Sequence, residues 1–173
     1  YKDAGGAATT ARAHNAPGAD EIIVCDVHAS KENAEPDFDT LKSIAKECFM
    51  PLTFFGGINA TERAGRLMDC GADKIGLTTA AYETPDLIEV LAKRYGNQAI
   101  VLGLDILKTT DGRYRLFDHR SQSVRDADPL EFTKNCIQAI LRYRELIKNP
   151  NYKGIINIDI NWEFYEMTQF KKI

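Results

Sequence analysis

Residues 71–88, GADKIGLTTAAYETPDLI, decide the reading of the fold. A Gly-Ala-Asp turn leads into a short run over 73–78 that is apolar after its charged start. Two threonines and two alanines follow, and Thr84-Pro85 then opens a helical period. A strand covered on both faces by helices has this near-continuous apolar character, whereas a half-exposed strand alternates. Gly-Ala-Asp recurs at residues 18–20, where it again opens an apolar run, DEIIVCD. This weak internal repeat points to βα units stacked into a parallel sheet, as a barrel or a doubly wound array.

Working outward, strands are predicted at about 20–26, 51–56, 73–78, 99–105 and 154–159. Helical periods lie at 7–15, 38–48, 60–70, 85–95 and 129–148. Asn59 followed by Glu62 fits a capping box, and Thr84-Pro85 and Asp128-Pro129 each place a capping residue before a proline at the first helical position. Gly71 and Gly96 follow the last periodic residues of their helices. Residues 107–123, with Asp111-Gly112 at their centre, read as a small hairpin inserted after the strand ending at Asp105. The whole of 1–173 is read as one domain.

The composition fits a globular domain: of 173 residues, 44% are hydrophobic and 27% charged. A net charge of −3 with scattered Lys and Arg gives no basic surface for nucleic acid or an anionic membrane. Small molecules or proteins are the expected partners. Cys25, Cys48, Cys70 and Cys136 form no Cys-x-x-Cys pair and have no histidine at ligand spacing. They read as structural thiols in a reducing, cytoplasmic setting, so neither a metal nor an organic cofactor is expected. The sequence shows no apolar run of membrane-spanning length.

In parallel αβ folds the chemistry sits at the carboxyl ends of the strands. Those ends carry Asp26 with His28 and Ser30, then Gly56-Gly57, then Thr78-Thr79, then Asp105. Gly56-Gly57 lets backbone N–H groups approach a ligand, and Thr78 and Thr79 add hydroxyl donors, a set that suits one phosphate. The same residues also suit a tight turn and local caps. Asp26 and Asp105 are the acid–base candidates, because a carboxylate at an apolar mouth can have a raised pKa and transfer protons, although strand-end aspartates also cap neighbouring loops. His14 and His119 read as helix-surface and hairpin residues.

GADEIIVCDVHAS (18–30), MPLTFFGGI (50–58), GADKIGLTTAAYETPDLI (71–88) and GNQAIVLGLDI (96–106) resemble, in order and spacing, the cyclase subunit of imidazole glycerol phosphate synthase, over about residues 1–135. The stretch 29–52 is especially similar to paralogues that serve surface-polysaccharide amidation. The resemblance implies a TIM (βα)8-barrel, here an incomplete one of about five parallel βα units plus the hairpin, with the family's first strand before Tyr1 and its last strands without a counterpart. Such barrels need about 250 residues.

It further implies ammonia delivered by a glutaminase subunit, a phosphorylated small-molecule substrate, and a lyase or cyclase reaction of histidine biosynthesis. By position, Asp105 takes the general acid–base role. Gly57, Thr78 and Thr79 fall at one phosphate site, with Gly56 and Asp26 beside them, and Glu21 and Lys74 fall at the ammonia gate. Three departures stand out: Phe55 replaces a glycine, Thr78 an asparagine and His28 a threonine. Glu163 is only a loose counterpart of a family aspartate. A noncatalytic module, forming a homo-oligomer that covers open barrel edges, is the alternative expectation.

Overall fold

The computed structural model describes residues 6–15, 19–147 and 158–160. Its centre is a five-stranded parallel sheet of β1 (Ile22–Cys25), β2 (Leu52–Phe55), β3 (Lys74–Leu77), β4 (Ile100–Leu104) and β8 (Ile158–Ile160), adjacent in that order. The order is sequential, as in a barrel wall, and among the described residues β1 and β8 are the sheet's edges. The predicted strand at 154–159 meets β8 at its last two residues; 154–157 lie outside the described residues, as do Glu163 and the rest of 161–173.

Strand alternation sorts the side chains into two faces. Leu52, Phe54, Ile75, Leu77, Ile100 and Leu104 point to the helix side and are buried. There they meet Leu41 and Ile44 of α3 (Phe38–Glu47), Ala64 and Leu67 of α4 (Thr61–Asp69), and Ile88 and Leu91 of α6 (Asp86–Tyr95). Full burial of each large aliphatic chain stabilises by about 1.5–3 kcal/mol, so this layer holds the fold. The other face carries Ile23, Thr53, Phe55, Gly76 and Gly103. It is covered at Thr53 and open at Ile23, which is 47% exposed.

The helix α1 (Ala7–Asn15) precedes β1 and packs on α3. Its last residue ties the two together: Asn15 Nδ2 donates to the Glu47 carbonyl at 2.6 Å, and Asn15 Oδ1 accepts from the Phe49 N–H. α7 (Pro129–Ile147) starts as its sequence demands, with Asp128 Oδ1 accepting from the N–H groups of Leu130 and Glu131, both at 2.9 Å.

Two other caps differ from expectation. Asn59 does not cap α4; Ala60 takes that position, and Asn59 Nδ2 donates to Asn33 Oδ1 instead. Pro85 stands at the cap of α6, so Thr84 contributes only its carbonyl, to the Leu87 N–H. Two short helices also go beyond the predicted frame: α2 (Val27–Glu32) begins just after β1, and α5 (Thr79–Glu83) just after β3.

The predicted hairpin is a three-stranded antiparallel meander, β5 (Ile106–Lys108), β6 (Tyr114–Asp118) and β7 (Ser123–Arg125). Its first turn is the expected one: Gly112 has φ 80°, and Asp111 accepts from Thr109 Oγ1 and the Arg113 N–H. The second turn, after Asp118, places Gln122 at φ 53°. This extra strand pair brings His119 and Arg120 back toward the carboxyl ends of the main sheet.

Candidate active site at the carboxyl ends of the strands

Gly56, Gly57, Thr78 and Thr79 line one small cleft, together with Ser30 of α2. Backbone geometry explains both glycines. Gly56 has φ 123°, and a Cβ there would lie 2.3 Å from the Asp26 carbonyl oxygen; Gly57 has φ 65° and would approach the Ala34 carbonyl oxygen to 2.9 Å. Arg63 Nη1 donates to the carbonyls of Gly57 and Ala34, both at 2.9 Å, and fixes this turn. The glycines are therefore required by packing whether or not a ligand binds.

Asp26 is a correction. It does not line the cleft, because both carboxylate oxygens serve the backbone: Oδ1 accepts from the Ala29 N–H at 2.9 Å and Oδ2 from the Asp37 N–H at 3.1 Å. Its work is to cap α2 and hold the following loop. His28 lies on the exposed side of α2, 3.9 Å from Glu32.

Asp105 follows β4 directly, outside the cleft. Burial raises its pKa; the charge of His119 pulls it down and that of Asp118 pushes it up, leaving a net rise. His119 Nε2 stands 3.6 Å from Asp105 Oδ1, and its ring meets Phe117 edge-on at 4.9 Å. Tyr82 of α5 is also close by. Its hydroxyl is buried without a hydrogen-bond partner among the described residues, and burial, followed by the charge of Asp105, raises its pKa. A partly buried carboxyl whose pKa is raised can both give and take a proton.

Sequence reasoning missed Arg120 and Glu83, which both line the cleft. Arg120 Nη1 donates to both Glu83 carboxylate oxygens at 2.9 Å. The one available signal was that the insertion starts at Asp105, so its turns return to the same end of the sheet.

At the opposite, amino end, Lys74 Nζ pairs with Glu21 Oε2 at 2.7 Å, and the fully buried Thr53 donates to the other Glu21 oxygen. Burial pushes the Glu21 pKa up, but the hydrogen bonds from Lys74 and Thr53 and the charge of Lys74 outweigh it, leaving the carboxyl below its ordinary value. The structure thus brings Glu21 and Lys74 together, at the end of the sheet opposite the cleft.

None of the four cysteines is in a disulfide: Cys136 is buried, with burial pushing its thiol up to about 11, and Cys25 is exposed at the end of β1. No helix among the described residues is long and apolar enough to cross a membrane. The family model described as histidine biosynthesis protein matches residues 1–147. That span includes the four strand ends from β1 to β4, the meander and α7.

Proposed function

The chain belongs to the histidine biosynthesis protein family, whose domain is a TIM barrel, and from that premise we propose that it is a cyclase-type subunit using ammonia from a glutaminase partner. The substrate class is a phosphorylated aminoimidazole carboxamide ribonucleotide carrying a phosphoribulosyl-formimino group. Ammonia supplies one nitrogen of the new imidazole ring, and the products are imidazole glycerol phosphate, an aminoimidazole carboxamide ribotide and water.

One observation carries this reading: the inner face of the sheet is polarised. At its carboxyl end lie a partly buried carboxylate, Asp105, and a cleft lined by the glycines and threonines that suit a phosphate. At its amino end a closed Lys74–Glu21 pair occupies the floor. In this scheme Asp105 exchanges protons with the condensing substrate. Gly57, Thr78 and Thr79 hold one phosphate, and separation of Lys74 from Glu21 admits ammonia. Holding the phosphate orients the substrate for attack by ammonia and for the ring closure that follows.

The test is ammonia-dependent turnover, followed by glutamine-dependent turnover with a glutaminase subunit added. Asp105→Asn is expected to abolish the first while the protein stays folded; retained turnover in that variant removes Asp105 from the role.

A second reading is favoured by the same face. The Phe55 ring lies across Gly76 and Gly103, and Ile23 is left open at the edge strand β1. A polysaccharide-amidation relative with a differently shaped substrate, or an assembly module whose copies cover that edge, accommodates both features. Light scattering separates the module from the enzyme: the module is a tight oligomer without turnover.

A further inference from the structure

The turn between β6 and β7 reaches the cleft with a cation that the fold has fixed at its base and left loose at its tip. The backbone N–H of Arg120 donates to Asp118 Oδ1 at 2.9 Å, and Asp118 is held in turn by Arg125. The guanidinium, by contrast, is tied among the described residues only to Glu83, across an ion pair whose side chains are 32% and 45% exposed. Exposed pairs of this kind are weak.

We infer that Arg120 is a phosphate ligand of this cleft and that Glu83 holds it there while the cleft is empty; this rests on the phosphate reading given above. Three observations support the step. First, Arg120 and Glu83 line the same cleft as Gly57 and Thr79, so a bound anion is within reach of the side chain. Second, both bonds to Glu83 use Nη1, which leaves Nε and Nη2 as a fork unspent on the carboxylate. Arginine presents five donors in a rigid plane and binds phosphate through two of them at once. Third, Glu83 alone would put a negative charge on the wall of an anion site. Paired with Arg120 the wall is neutral, and when a dianion arrives the guanidinium turns toward the stronger charge. The ligand class is a phosphate monoester, and its binding draws the meander onto the cleft.

Calorimetric titration of the full chain with inorganic phosphate and with glycerol 3-phosphate tests this. Binding is expected to weaken at least tenfold in Arg120→Ala, to recover in part in Arg120→Lys, and to tighten several-fold in Glu83→Gln, with melting temperatures little changed. Binding that weakens in Thr79→Ala but not in Arg120→Ala overturns the role of Arg120 and leaves the phosphate site standing. Unchanged or weakened binding in Glu83→Gln overturns the holding role. Absence of phosphate binding by the unaltered chain overturns the site and the inference together.

Discussion

His119 Nε2 lies 3.6 Å from Asp105 Oδ1, joining the second turn of the meander to the carboxyl end of β4. The pair sits where burial works against the ionised carboxylate, so the Asp105 pKa is higher in the folded chain than in the unfolded one. A group raised in this way contributes stability that is fully present below the ordinary aspartate range and is lost as pH rises through the elevated folded value. Asp105→Asn should therefore stabilise the protein at neutral pH, by less than about 1 kcal/mol because the side chain is one-third exposed. Urea melts of both proteins at pH 3.5 and pH 7 check this (roughly either side of the ordinary aspartate range). The advantage of the variant should appear only at the higher pH, and an equal gap at both contradicts the assignment. His119→Gln, which removes the main influence lowering that pKa, should move the acidic limb of any ammonia-dependent rate to higher pH.

Gly76 is glycine because of Phe55. A Cβ at Gly76 would lie 2.1 Å from Phe55 Cε1, so the ring or the strand has to shift. Gly76→Ala should cost about 1–3 kcal/mol, the range for overpacking. In a Phe55→Ala background the same change should cost almost nothing. A double-mutant cycle by urea denaturation measures the coupling; additive effects would mean that the ring moves aside freely.

Asp26 holds two backbone donors, one in α2 and one eleven residues on at Asp37. Asp26→Ala should cost about 1–2 kcal/mol, typical of a lost N-cap. Asp26→Asn, which keeps an acceptor for the Ala29 N–H, should cost less. Thermal melts give the ranking, and equal losses in the two variants would show that the Asp37 contact dominates.

Much of this architecture is legible in the residues. β1 to β4 are apolar on the helix face and bounded by glycine or charged residues, so period and turn signals agree. Gly56, Gly57, Thr78 and Thr79 could be placed in one cleft because strand ends in a parallel sheet are neighbours. The short helices were hidden: VHASKE and TAAYE are too brief for a helical period to show. The capping contacts of Asp26 were hidden for a related reason, since its partners lie in the unrecognised α2 and the loop beyond. Asn59 was a good cap by type, but Asn33 competes for its side chain. Beyond the start of the insertion at Asp105, nothing placed His119 and Arg120 individually, because their positions depend on the second meander turn. There Gln122 rather than glycine takes the left-handed conformation, and nothing in its type announces the bend.

The sequential order of the sheet also bears on how the chain assembles. β1 pairs with β2 from Ile22 to Leu52, and β2 with β3 from Thr53 to Lys74, so each strand emerging from synthesis finds its neighbour already made. The pairing of Leu102 with Ile158 closes a stretch roughly twice as long as that from Ile22 to Leu52. A doubling of loop length adds only about 0.6 kcal/mol of closure entropy. The meander forms through contacts local to itself, within the stretch between β4 and β8. Docking of β8 can therefore follow the placement of Asp105, His119 and Arg120 without a large entropic penalty.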